Sequence, residues 1–254
     1  MAEVKSRATP LIDQGDIYFL YRPRVKADRV RGLDDVQRVY LLLRPKGARK
    51  YRLLIVGRKR LPDPGRDGRF WAFVYKVFRS RAALGEELGE VRYRTKTLGL
   101  RDEPGARPVA EGVYALVRHG DHTHLTYVLE LPDRLGPAER ALNIRREASY
   151  IIAVKNPEAA SPPGAGLDPE HEAHFPPALR RRFRGRRFIP VETASFLDHP
   201  GAELMLIGAS EDPQKELGLE FKPDHETEHT ADVLKDLGVP RETARRSLFQ
   251  GQWA

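Results

Sequence analysis

The feature that most constrains this chain is a pattern that occurs twice. Residues 16–63 hold three apolar runs: IYFLYR from Ile17, VYLLLRP from Val39 and YRLLIVGRKRLPD from Tyr51. Residues 112–158 hold VYALVR from Val113, TYVLELP from Thr126 and YIIAVKNPE from Tyr150. Each first run is a β-branched residue, a Tyr, one residue, a Leu, one residue and an Arg. Each second run combines a Tyr with an apolar stretch closed by Pro. Each third run starts with Tyr and ends near a basic residue, a Pro and an acid. Tyr18 and Tyr51 are 33 positions apart and Tyr114 and Tyr150 are 36 apart, so insertions fall between runs.

These runs are rich in aromatic and β-branched residues, which suits strands. Several are continuously apolar rather than alternating, which implies strands covered on both faces. Pro45, Gly47 and two lysines between the second and third runs read as a hairpin turn, so that pair is antiparallel. Two separate three-stranded units would leave open edges. Pairing them about a pseudo-twofold closes a barrel of six to eight strands. The expected fold is therefore α+β and mainly β. It is an internally duplicated antiparallel β-barrel or strongly curved sheet with peripheral and C-terminal helices. The duplicated core is expected over residues 1–210, with repeats at about 16–63 and 112–158. Residues 211–254 are expected to form an acidic helical segment packed on that core.

Other segments read more locally. Residues 1–15 suggest a polar extended arm, and 98–108 a polar linker. FWAFVYKVF from Phe70 is the most aromatic run and reads as a buried strand. VRYRTKT from Val91 alternates and reads as a half-exposed strand with a cationic face. Gly238 is expected to stop a helix over about 228–237, and Pro240 to open a last one.

At 254 residues the chain can bury a sizeable core. It contains no Cys, which removes thiol catalysis, disulfides and thiolate metal sites. No apolar run approaches the ~18–20 residues a bilayer span needs. The N-terminal MAEVKSRATP lacks the apolar stretch of a secretory signal. A cytoplasmic location away from membranes is the expectation. Phosphate-loop, dinucleotide-binding and nucleophile-elbow motifs are absent from the sequence.

The formal charge of +8 is uneven. Residues 1–110 carry 26 Lys+Arg against 13 Asp+Glu, and residues 111–254 carry 18 against 23. The run RRRFRGRR at 180–187 contributes Arg180, Arg181, Arg182, Arg184, Arg186 and Arg187, flanked by Phe183 and Phe188. Guanidinium groups grip phosphates as a fork, and aromatic rings can stack on bases. Arg58, Lys59 and Arg60, with Arg92, Arg94 and Lys96, would extend such a track. The competing reading makes both Phe residues core anchors and pairs the Arg with the acidic C-terminal segment.

His225-Glu226-Thr227-Glu228-His229 satisfies H-E-x-x-H, which on a helix sets two imidazoles beside a zinc or other divalent metal. Pro223 places His225 at or before a helix start, and the stripe shared with Asp232 and Asp236 reads as solvated. Convergence of the His119–His124 and His171–His174 groups on one metal is a further option, with Asp121 and Glu172 beside them. The sequence thus points to a non-enzymatic binding module whose partner is nucleic acid or another polyanion, an acidic protein surface included, with no cofactor. A metal-dependent hydrolase using His225, Glu226 and His229 is one alternative. A structural subunit of a larger assembly is the other.

Overall fold

The computed structural model describes residues 3–6, 9–25, 29–66, 68–95, 99–161, 166–223 and 226–254. Strands dominate: β1 (Glu3–Ser6), β2 (Leu11–Pro23), β3 (Val36–Pro45), β4 (Tyr51–Val56), β5 (Arg69–Phe78), β6 (Val91–Thr95), β7 (Gly99–Glu103), β8 (Arg107–His119), β9 (His122–Leu131), β10 (Glu147–Lys155), β11 (Phe188–Pro190), β12 (Glu203–Ser210) and β13 (Leu219–Lys222). The helices are short: α1 (Arg81–Leu88), α2 (Pro137–Ala141), α3 (Pro177–Arg180), α4 (Pro213–Leu217), α5 (Asp232–Asp236) and α6 (Arg241–Ala244). A π-helical turn over Arg245–Phe249 follows the last of them.

Eight strands close an antiparallel barrel in the order β2-β3-β4-β5-β12-β10-β9-β8, with β8 returning to β2. The first apolar runs of the two patterns lie on the neighbouring strands β2 and β8, with Asp16 opposite Val113 and Ile17 opposite Gly112. Each pattern acquires a fourth strand that the sequence reading left outside it. β5 pairs with β4, β12 pairs with β10, and β5 and β12 then pair with each other to complete the ring.

Side chains alternate across each strand, so one set fills the barrel. Ile17, Phe19, Leu41, Leu54, Ala72, Val74, Leu116, Leu125, Tyr127, Tyr150, Ile152, Leu204 and Leu206 form that packed interior. Phe175, Phe183 and Phe196 join the same cluster. Glycine is required where strands cross closely. A Cβ on Gly112 would collide with the Val128 carbonyl, and one on Gly15 with the Arg44 carbonyl.

The outer faces are covered unequally. Tyr18, Leu20, Tyr40, Leu42 and Leu53 pack against α1, α5, α6 and the π-turn through Leu84, Leu88, Val233, Leu237, Ala244 and Leu248. Val113, Ala115 and Val117 pack against Val4, Leu217, Leu219 and Phe221. β1 pairs with β13, so the expected N-terminal arm becomes a strand held by the C-terminal segment, and β2 already begins at Leu11. The expected linker 98–108 contains β7 and the start of β8. Among the described residues, no helix is long and apolar enough to cross a membrane.

Candidate functional site

Residues 177–187 form a pinned turn with outward cations. Pro177 opens α3, whose fixed φ suits a first helical position. Leu179 and Phe183, four residues apart, face inward and are buried. Phe183 lies 5.9 Å from Phe175 and 5.6 Å from Phe196, ring centre to ring centre. Arg184 (φ 48°) and Gly185 (φ 74°) then reverse the chain in left-handed conformations. The Arg186 N–H donates to the Phe183 carbonyl at 2.8 Å, and the Asn156 N–H to the Arg187 carbonyl at 2.8 Å. The apolar side of the turn is thereby fixed in the core. Arg180, Arg181, Arg182, Arg184, Arg186 and Arg187 are all exposed.

Arg180 lies 3.9 Å from Glu158, and Arg182 lies 3.4 Å from Glu192. Arg187 donates to the Ala160 carbonyl at 2.8 Å. Among the described residues, Arg181, Arg184 and Arg186 face no carboxylate within 4.0 Å. A hollow of about 350 Å³ is lined by Ala178, Arg181, Arg182, Arg184 and Glu192.

The two aromatic neighbours of this run behave differently. Phe183 is a core anchor, whereas Phe188 is half-buried on the outer face. Its ring lies 5.8 Å from Trp71, and the Arg187 guanidinium sits 6.0 Å from its centre. Trp71 lies on β5, whose backbone carbonyl accepts from Gly57, next to Arg58. The Arg58 guanidinium sits 4.9 Å over the Phe70 ring. Trp71 therefore joins two sequence-distant basic runs, 58–60 and 180–187. Lys59 is half-buried, and Arg58 and Arg60 are exposed.

Arg92 is not brought to this surface. It lies on the separate β6–β7 hairpin, 3.1 Å from Asp102 and 3.9 Å from Glu90. Arg94 is on the same hairpin. Lys96 lies outside the described residues.

The acidic C-terminal segment packs over β2, β3 and β8 rather than over the Arg turn. Its cationic partners are elsewhere: Asp236 meets Arg44, Glu211 meets Arg145, and Glu228 meets Arg241.

The H-E-x-x-H stretch does not adopt a metal-binding helix. His225 lies outside the described residues. Glu226 and Thr227 are irregular, Glu228–Thr230 form a turn, and α5 begins only at Asp232. The Thr227 N–H donates to Thr230 Oγ1 at 2.8 Å, a local bond that competes with helix formation. His229 is exposed beside Arg241. The other histidines do not gather with carboxylates around one point among the described residues. His124 is buried with Nδ1 2.8 Å from Ser149 Oγ, and burial lowers it to about 4.

The one group with convergent ligand atoms among the described residues is Asp16, Asp232 and Asp236. Arg44 bridges two of the three, bound to Asp236 and 3.4 Å from Asp16. Tyr18 donates to Asp236 at 3.2 Å. A guanidinium already supplies the positive charge that this cluster calls for.

Two further charged networks are internal supports. Arg52, buried at the barrel end, donates to Asp198 at 2.8 Å and to Asp13 at 2.5 Å, where Tyr114 also donates at 3.0 Å. Lys155 donates to Glu203 at 2.5 Å and to Glu172 at 3.0 Å. Known protein families, curated proteins and solved structures offer no match to this chain.

Proposed function

We propose that this chain is a binding module for nucleic acid or a related polyphosphate, gripped by the Arg turn at 180–187 and the basic loop at 58–60. The observation that carries the reading is the exposure of Arg181, Arg184 and Arg186 on a turn anchored by Leu179 and Phe183, with Arg181 and Arg184 lining a hollow. Unpaired, pre-positioned guanidinium groups bind phosphate at little ordering cost. Location of the acidic segment on other strands leaves this surface open. Arg92 is secondary to it.

Binding of the full-length chain to labelled oligonucleotides at several salt concentrations tests the reading. Affinity should fall steeply with salt, with a log–log slope of about −0.7 per phosphate contact on single strands. Replacing Arg181, Arg184 and Arg186 together by Ala should flatten that slope by about 2. Salt-independent binding, or none at low salt, rejects the proposal.

The barrel itself carries a second proposal, that it arose by internal duplication of a four-stranded unit. Support comes from the strand order, in which β2, β3, β4 and β5 answer β8, β9, β10 and β12 across the β2–β8 and β5–β12 pairs. Expression of residues 9–80 alone should give a homodimeric barrel; a monomer with exposed edges or an unfolded chain counts against it.

A further inference from the structure

One outer face of the barrel carries half-buried apolar residues outside the packed clusters that seal the others. On β5 the outward residues are Arg69, Trp71 and Phe73, since Phe70, Ala72 and Val74 point inward and are buried. Met205 and Ile207 follow on β12, with Met205 opposite Trp71 and Ile207 opposite Arg69. Ala153 and Ile151 continue the rows on β10, and Phe188 stands on β11 beyond them. All of these apolar residues are half-buried, and none belongs to the three packed clusters that seal the interior and the other outer faces. Trp71 and Phe73 lie nearly parallel, 10° apart with centres at 6.3 Å. Arg69 is exposed beside Trp71, Arg58 lies over Phe70, and Arg187 lies over Phe188.

We infer that this face is a stacking platform, so that the ligand is single-stranded nucleic acid whose bases lie on Trp71 and Phe188. The inference rests on the polyanion reading of the same surface and adds the ligand class to it. Flat aromatic faces bind any base through its π-system, while flanking cations track the backbone. Duplex bases are stacked on each other and cannot reach such a face. Charge complementarity selects this occupant: the apolar rows are bordered by Arg58, Arg69 and Arg187, which suit a ligand with apolar faces and an anionic edge.

Two probes separate stacking from charge: an oligothymidylate, and an abasic deoxyribose-phosphate chain of equal length. In a Trp253→Phe background Trp71 is the sole tryptophan, because the chain has two. Oligothymidylate should quench its emission and the abasic chain should not. In the otherwise unchanged protein, Trp71→Ala should weaken oligothymidylate binding by about 5- to 100-fold, the range for loss of one stacked base. Trp71→Phe should restore most of it, and heparin binding should be unaffected by either. Equal binding of both probes, with Trp71→Ala unchanged, overturns the platform and leaves the polyanion reading standing. Loss of salt-sensitive binding to every anion removes both. A concentration-dependent dimer that Trp71→Ala dissociates, with no effect on oligonucleotide, also overturns the platform and assigns the face to a second copy.

Discussion

The carboxylate of Glu111, on β8, accepts the backbone N–H of Val233 at 2.7 Å, joining the barrel wall to the first turn of α5 across 122 positions of sequence. It also accepts from the Asp232 N–H at 3.2 Å. These are the free donors every helix start leaves, and here a buried barrel residue satisfies them.

The burial of that carboxyl group makes stability pH-dependent. Burial, with nearby carboxylates adding to it, raises Glu111 to about 8. Burial raises Glu139 to about 7. Unfolded, both ionise near 4.5. Between these limits the folded state holds more protons, so stability falls as pH rises, by about 1.4 kcal/mol per pH unit for each group in its window. His124, lowered to about 4, acts oppositely but only below its ordinary 6.5. Melting temperature should therefore drop from pH 6.5 to 8.5. Glu111→Gln should flatten the drop above pH 7, and an unchanged profile in that variant refutes the assignment.

Lys155 should be intolerant of single replacement. Its amine is fully buried between Glu203 and Glu172. Lys155→Met leaves the buried Glu203 carboxylate without its cation, and breaking such a pair costs about 3–5 kcal/mol. The double variant Lys155→Met/Glu203→Leu removes both sides and should be the milder change in urea unfolding. A double variant worse than the single would reverse this account.

Gly112→Ala should destabilise by about 1–3 kcal/mol, because the new methyl meets the Val128 backbone rather than a movable side chain. Gly120, with open space around its Cβ position but φ at 59°, should lose only the smaller cost of a left-handed residue. Denaturation midpoints of the two variants compare steric against conformational cost directly.

Arg184→Gly should trade binding for stability. Arg184 holds φ at 48°, a conformation glycine adopts freely. The variant should gain about 0.5–1 kcal/mol in stability and lose salt-sensitive affinity. Loss of both would show that the Arg184 side chain also holds the turn.

Much of the barrel was legible because a strand's own residues state how it must be used. The continuously apolar runs at Val39 and Leu53 demanded cover on both faces, and the structure supplies packed side chains within and helices without. Gly238 and Pro240 marked a helix end and a helix start, and α5 and α6 lie on either side of them. Of the candidate site, the Arg run at 180–187 was plain as composition. The roles of Phe183 and Phe188 were not, since one side chain points to the core and the other away from it. FWAFVYKVF read as a buried strand, although its alternation of Trp71 and Phe73 with Ala72 and Val74 contained the signal for a half-buried outward aromatic face. The sequence put His225 at or before the start of a helix over about 228–237; Thr227 and Thr230 bond each other locally, and α5 begins only at Asp232.

By itself, then, the sequence determined most of the barrel strands and the turn between β3 and β4, but not β1, β7 or β13. Only the tertiary structure decided that β5 and β12 complete the ring, that the acidic segment seals β2, β3 and β8, and that Trp71 stays half-buried outside the packed clusters. The physical reason is that alternation along a strand is local chemistry, readable residue by residue. Which outer face receives cover depends on contacts between segments a hundred or more residues apart, and those exist only once the ring has closed.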